Sequence, residues 1–239
     1  MKNESNYVIE IPARLGSNRV KKKNIRLLNG KPMIAYAIDA AINSKRTNKI
    51  YVNSDSSLIE KIALEKGINF YKREEILLTD SAKQDEFNYD FLKNIECESL
   101  VMVNPVSPLI EGADIDSAIE FYEKNNLDTL ISSKQEKLHA FFQGNPLNFC
   151  SDNLLAPTQE IAPVDILTWN ICIWRRKTFL KSFEDNGYAA FSGKVGLWPV
   201  DPMKSIKISY EEDFRMAEVI LKAKESSKLD FPPQFLDED

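Results

Sequence analysis

Histidine is nearly missing from this sequence, which holds only His139, and the cysteines number three, Cys97, Cys150 and Cys172. No two cysteines stand at a short metal-ligand spacing, which excludes the common zinc clusters, and an odd number suits a reducing compartment better than a disulfide framework. The cytoplasm is therefore the expected location. No window approaches the roughly 18 consecutive apolar residues of a membrane-spanning helix, and the opening "MKNESNY" lacks the apolar centre of a signal peptide, so a soluble protein is expected. Excess positive charge is missing as well. The net charge of −5 argues against a broad nucleic-acid surface. Glycine is scarce, at eight residues. Neither glycine-dependent phosphate signature is present: Gly16 has no second glycine to make G-x-x-x-x-G-K-[ST], and G-x-G-x-x-G does not follow the first apolar run. P-loop chemistry and simple dinucleotide-dependent redox chemistry are thereby set aside. No repeat and no low-complexity stretch occurs. His139 has no Ser or Cys motif beside it, so a structural or surface role is expected for it.

The 239 residues, 43% of them hydrophobic, suffice for a core of ordinary size. Through the first half, short apolar runs alternate with segments of helical period: "YVIEIPA", "PMIAYAIDAAINS", "KIYVNSD", "SLIEKIALEKG", "NFYKR", "DEFNYDFLKNIE", "SLVMVNPVSP", "DIDSAIEFYEKNN" and "DTLISSK". This rhythm predicts an α/β fold with a mainly parallel sheet and helices on both faces. From about residue 134 it gives way to short β-like pieces, "HAFFQG", "WNICIWRR" and "VGLWPV". A strand at "SIKIS" and a helix over about 211–225 then bring the chain back to the sheet. The expectation is one domain over 1–227 with an inserted lobe at about 136–200, and a mobile tail at 228–239. The lobe's aromatic residues, Phe141, Phe142, Trp169, Trp174 and Trp198, are expected in the core before the alternative of covering a partner subunit.

In such sheets ligands bind beyond the carboxyl ends of the strands, where the loops at 13–24, 53–57 and 104–112 would converge. The first of these is the most charged. "PARLGSNRVKKKN" sets a Gly-Ser turn among Arg14, Arg19, Lys21, Lys22 and Lys23. Backbone N–H groups and several cations at a strand end suit a polyanion such as a triphosphate, whose charge must be held while the α-phosphorus is attacked and pyrophosphate leaves. A solvated basic loop is the plain alternative.

The stretch "IPARLGSNRVKKKNIRLLNGKPMIAYAI" resembles the N-terminal signature of the acylneuraminate cytidylyltransferase family, whose members make CMP-sialic acid and related CMP-activated sugar acids. "YVNSDSSLIEKIALEKG", "REEILLTD", "NPVSPL" and "SIKISYEEDFRMAE" resemble later segments of that family in the same order, so the likeness spans roughly residues 8–222. It implies a nucleotide-diphospho-sugar transferase-like fold and a homodimer in which an inserted lobe meets its neighbour. It also implies CTP and Mg2+ as co-substrates, CMP transfer to a sugar acid hydroxyl, and a place in surface polysaccharide synthesis. By position, Arg14, Ser17, Lys23 and Asn24 match residues that hold the nucleotide and its phosphates. Asn18 stands where the family has Lys, with Arg19 beside it. Arg73 and Asp80 match a segment near the cytosine. Asn104, Gln159 and Asn170 are the candidates for the acceptor. Arg14 and Lys23 are the candidates for offsetting charge on the leaving pyrophosphate, a task of positioning and electrostatics.

The departures from the family pattern gather at the metal and the acceptor. Lys207 and Ser209 stand where the resemblance implies a pair of Mg2+-binding Asp residues, and neither replaces a carboxylate. Ser209 also reads as the first residue of a capping box completed by Glu212. The Lys207 ammonium is a candidate to offset phosphate charge directly. Asp55 and Asp201 are possible replacement ligands, although Asp55 is better placed to cap the helix that begins near Ser57. Val106, Ile110 and Thr168 replace family Thr, Arg and Arg, and this loss of cations suggests a different acceptor, a less acidic one, or lost activity. Two other readings stay open: a non-catalytic nucleotide-binding protein of the same fold, and a nucleotidyltransferase with a phosphonate or phosphate acceptor.

Overall fold

The computed structural model describes residues 6–16, 19–79 and 82–226. Ser17, Asn18, Asp80 and the tail at 228–239 lie outside the described residues. In chain order the elements begin with β1 (Tyr7–Pro12), β2 (Leu27–Leu28), β3 (Lys31–Pro32) and α1 (Met33–Asn43), then β4 (Ile50–Ser54), α2 (Ser57–Glu65) and β5 (Asn69–Lys72). They continue with α3 (Gln84–Asn94), β6 (Ser99–Val103), α4 (Gly112–Lys124), β7 (Thr129–Glu136), β8 (Phe141–Phe142) and β9 (Asn145–Pro146). The last are β10 (Val164–Arg175), α5 (Arg176–Asn186), β11 (Val195–Pro199) and α6 (Glu211–Glu225).

Seven strands form the main sheet in the order β11-β7-β10-β6-β1-β4-β5. Strand β1 runs parallel to β4 and β6, β4 to β5, and β7 to β11; β10 is antiparallel to both of its neighbours. The expected mainly parallel sheet is thus present. "SLVMV" in β6 is buried at all five positions, as a strand covered on both faces requires. Side chains alternate between faces. Ile9 and Ile11 join Ile34 and Ile38 of α1 and Ile115 and Ile119 of α4 in one core, whereas Val8 joins Phe91 of α3 and Phe179 of α5 in the other. Gly112 marks the tightest helix contact: a Cβ there would stand 2.6 Å from the Asn43 carbonyl carbon.

The expected lobe at 136–200 has the wrong bounds. Strands β10 and β11 both belong to the main sheet and Phe179 of α5 between them packs in its core, which leaves residues 137–163 as the stretch that adds no strand to the main sheet. "WNICIWRR" looks like a short piece because its strand is irregular: the register shifts between Leu167 and Cys172, and Trp169 takes a left-handed backbone at φ 57°. "SIKIS" is not a strand. Residues 205–209 pass beside the sheet with no ladder, pinned by the Ile208 N–H donating to the Val106 carbonyl at 2.9 Å. The sheet-closing strand is instead β11. The aromatic residues divide: Trp174 and Trp198 are buried, Trp169 is half-buried, and Phe141 and Phe142 are 63% and 64% exposed, against the expected core placement.

Candidate active site

Beyond the carboxyl ends of β1, β5 and β6, the loops enclose a cavity of about 320 Å3, to which the expected loop at 53–57 adds no lining residue. Its walls carry Arg14, Gly16, Arg19, Lys23 and Asn24 from the basic loop, Arg73 from the end of β5, Gln84 and Phe87 from α3, and Asn104 and Val106 from the loop after β6. The convergence expected from the sequence is therefore real for four of the proposed nucleotide residues and for Asn104.

The basic loop is shaped from within. Lys22 adopts a left-handed conformation at φ 49° and starts a single 3-10 turn over Lys23–Ile25. This turn brings Asn24 back to donate from Nδ2 to the Arg14 carbonyl at 2.8 Å. Lys23 donates from Nζ to the Ile208 carbonyl at 2.9 Å. Burial first, then the like charges of Arg19, Lys207 and Arg14, push the Lys23 pKa down to about 8, with Asp213 acting in the opposite sense. Several cations held this close, with no carboxylate among the described residues of the cavity wall, form a site for an anion of high charge.

Arg73 is almost fully buried, and a chain of polar groups fixes its plane. Its Nε donates to Asn53 Oδ1 at 2.9 Å, its Nη2 donates to the Asn53 carbonyl at 3.1 Å, and its guanidinium lies 4.3 Å from the centre of the Phe87 ring. Asn53 in turn donates from Nδ2 to Glu10 Oε1 at 2.6 Å. Glu10 sits in the middle of β1 with no exposure, and its Oε2 has no hydrogen-bond partner. Burial pushes its carboxyl up to about 7, against the Arg73 charge and the Asn53 hydrogen bond that favour ionisation; Asp90 adds a further upward push. Asn24 Oδ1 and Gln84 Nε2 are also buried without a protein partner. Such atoms at a cavity wall are available to a ligand. The basic loop was legible from its charge density. Gln84, Phe87, Asn53 and Glu10 were missed, although a glutamate inside the apolar run "VIEIP" was itself a signal.

Two of the three acceptor candidates come together. Asn104 donates from Nδ2 to the Trp169 carbonyl at 3.1 Å, and its own N–H donates to the Asn170 carbonyl at 2.9 Å. The fully buried Asn170 donates to Ser107 Oγ at 2.8 Å and leaves Oδ1 without a partner. The irregularity in β10 makes this meeting possible. Gln159 does not join them: it is exposed among residues 137–163, and its carbonyl accepts from Lys137 Nζ at 3.1 Å.

A second cavity, of about 310 Å3, is lined by Lys134, Thr168, Ser205, Lys207 and Asp213 among others. Lys207 is exposed over much of its length, yet enough protein surrounds its ammonium for desolvation to lower its pKa, with Arg19 adding to the effect. The capping expectation needs correction here. Neither Ser209 nor Glu212 supplies the cap of α6; Asp213 Oδ2 accepts from the Ser209 and Tyr210 N–H groups at 2.7 and 2.8 Å. Helix α6 starts at Glu211, where it was expected, so its N-cap is Tyr210 and its third helical position is Asp213, not Glu212. At α2 the cap is Ser56, whose Oγ accepts from the Ile59 N–H, and not Asp55. Asp201, the other possible replacement ligand, accepts from the Met203 N–H at 2.8 Å in a turn and lines a different cavity.

A divalent ion of the Mg2+ type needs a shell of oxygen ligands that includes carboxylates. Position 207 offers an ammonium, position 209 a hydroxyl, and Asp213 Oδ2 is committed to two N–H groups. Among the described residues no group of three His, Cys, Asp or Glu side chains could hold a metal ion. The residues present do not fit the ion at this place.

A mainly parallel sheet with a cationic cavity at its carboxyl edge places the chain among α/β folds whose ligand site lies beyond the strand ends. Residues 8–154 match the family model for cytidylyltransferases, and the chain belongs to that family. It is 32% identical over 215 residues to an N-acylneuraminate cytidylyltransferase of Streptococcus agalactiae serotype V, an alignment covering 85% of this chain and 50% of the relative. The chain thus spans about half the length of that relative. It is 31% identical over 240 residues to the post-translational flagellin modification protein B of Campylobacter coli, covering 95% of this chain and 100% of the relative. Among solved structures, CMP:2-keto-3-deoxy-manno-octonic acid synthetase complexed with CTP shares the fold, with a TM-score of 0.68 at 14% identity over 92% of this chain and 100% of that one. Among the described residues no helix is long and apolar enough to cross a membrane.

Proposed function

We propose that the chain is a CTP-dependent enzyme that transfers CMP to a hydroxyl of a small sugar acid and releases pyrophosphate. One observation carries this reading: Arg14, Arg19, Lys23 and Arg73 share a cavity with Asn104, beyond the ends of parallel strands in a cytidylyltransferase. In this reading the acceptor oxygen forms a bond to the α-phosphorus while the bond from that phosphorus to the β-bridging oxygen breaks. Pyrophosphate leaves, and the hydroxyl proton passes to water. Arg14, Arg19 and Lys23 hold the triphosphate in line and offset the charge that grows on the leaving group. Arg73, fixed through Asn53 and Glu10, packs on Phe87 beside the base, where Gln84 Nε2 has a free donor. Asn104 and Asn170 lie toward the acceptor, with a sugar acid favoured by the kinship with N-acylneuraminate cytidylyltransferases. The exposed Phe141, Phe142, Leu147, Leu154 and Leu155 outside the main sheet supply an apolar face for a homodimer.

Calorimetry with each of the four ribonucleoside triphosphates tests the reading, followed by pyrophosphate release from CTP with N-acetylneuraminate and related sugar acids. The expected result is selective CTP binding, turnover with at least one sugar acid, and a sedimenting mass of two chains. Equal affinity for all four triphosphates would remove the cytidine assignment. CTP binding with no pyrophosphate release from any sugar acid would favour the non-catalytic or non-sugar readings.

A further inference from the structure

The segment at 205–209 runs between the two cavities. The Ile208 N–H and carbonyl tie it to Val106 and Lys23, both on the wall of the first cavity. Ser205, Ile206 and Lys207 line the second. Lys207 therefore stands where a triphosphate in the first cavity would meet an acceptor in the second, close enough to Arg19 and Lys23 for their charges to act on one another. Among the described residues no hydrogen bond or ion pair holds its ammonium. A lysine kept beside other cations, with the Cys172 thiol as the neighbour that favours its charge and no hydrogen bond to hold it among the described residues, is free to take an anionic ligand.

We infer that Lys207 carries the charge compensation at this seam that a divalent ion would otherwise supply, so that the triphosphate binds through Lys207, Lys23 and Arg19 without a metal held by the protein at this place. The inference rests on the reading of the first cavity as a CTP site. A single ammonium is a compact charge on a flexible stem, able to follow the phosphate oxygens from ground state to transition state, whereas a bound ion would need the carboxylates that positions 207 and 209 lack. The backbone ties on either side of Ile208 hold the lysine's Cα still while its side chain reaches the ligand.

The test is calorimetry of CTP binding to the full chain in Mg2+ and in EDTA, for the parent, Lys207→Met and Lys207→Arg. The parent is expected to bind CTP with affinities within about threefold in the two media. Lys207→Met is expected to weaken binding about tenfold in EDTA, the scale of one lost charge-assisted contact. Lys207→Arg should restore most of that loss, which a merely structural role would not predict, and all three proteins should melt within a few degrees of one another. A parent whose CTP binding collapses in EDTA, or a Lys207→Met protein that binds as the parent does, overturns the inference while leaving the CTP site standing. Faster Mg2+-dependent turnover in Lys207→Asp would overturn it as well. Absence of CTP binding by the parent in either medium is a different failure, since it removes the reading of the cavity itself.

Discussion

Glu10→Gln isolates an acid that is fully buried beneath the candidate site. Burial raises the Glu10 carboxyl from an ordinary 4.5 to about 7 in the folded protein. Between these pH values the unfolded chain has lost the proton and the folded chain keeps it, so the fold binds more protons and its stability falls as pH rises. Above about 7 both states are ionised and the contribution levels off. A rise of this size, at about 1.4 kcal/mol per pH unit, corresponds to roughly 3 kcal/mol of stability present at pH 4 and gone by pH 8. Glutamine has nearly the same shape, can still accept from Asn53 Nδ2, and does not titrate. Its fixed costs, an amide nitrogen without a partner and a weaker hold on Arg73, are the same at every pH and cancel when the difference between the two proteins is followed across pH. Chemical denaturation of both proteins at intervals from pH 4 to 8 should show Glu10→Gln gaining on the parent by roughly 3 kcal/mol, most of it between pH 5 and 7. A difference that stays flat within about 0.5 kcal/mol, the usual scatter of such comparisons, would refute the claim that Glu10 is a buried acid whose ionisation the fold opposes.

Lys23 titrates near 8 in the free protein, and a triphosphate beside it would raise that value, so CTP affinity is expected to be highest below pH 8 and to fall as pH rises through it. Calorimetry at pH 8 in buffers of different ionisation heat should detect proton uptake on binding, and an affinity unchanged between pH 7 and 9 would place Lys23 away from the phosphates. Gly112→Ala places a methyl group 2.6 Å from the backbone carbon of Asn43, which cannot move without shifting α1, so a loss of about 2 kcal/mol in denaturant unfolding is expected. The ordinary helix preference for alanine over glycine would instead give a small gain.

The sequence by itself determined the class of the sheet and the place of the cations. Unbroken apolar strands such as "SLVMV", alternating with helical periods, leave a parallel sheet covered on both faces as the consistent arrangement. A dense run of Arg and Lys after the first strand must then lie at the sheet's carboxyl edge, because a βα connection leaves from that edge. Lys207 and Ser209 were legible as misfits for a metal only against the pattern of the family the sequence resembles. What local pattern could not fix was decided by contacts between residues far apart in the chain. Whether "SIKIS" or "VGLWPV" closes the sheet depends on which segment finds a free edge beside β7, and both are equally β-like as sequence. The helix starts near Ser57 and at about 211 were legible, but their caps were misplaced, since Asp55, Ser56, Ser209 and Asp213 all have capping chemistry and only backbone geometry selects among them. The chain Glu10–Asn53–Arg73 joins β1, β4 and the residue that follows β5 and spans 63 positions, so no short window of sequence contains it. The sheet brings those three side chains together, and its burial turns an unremarked glutamate into the support for an arginine at the cavity wall.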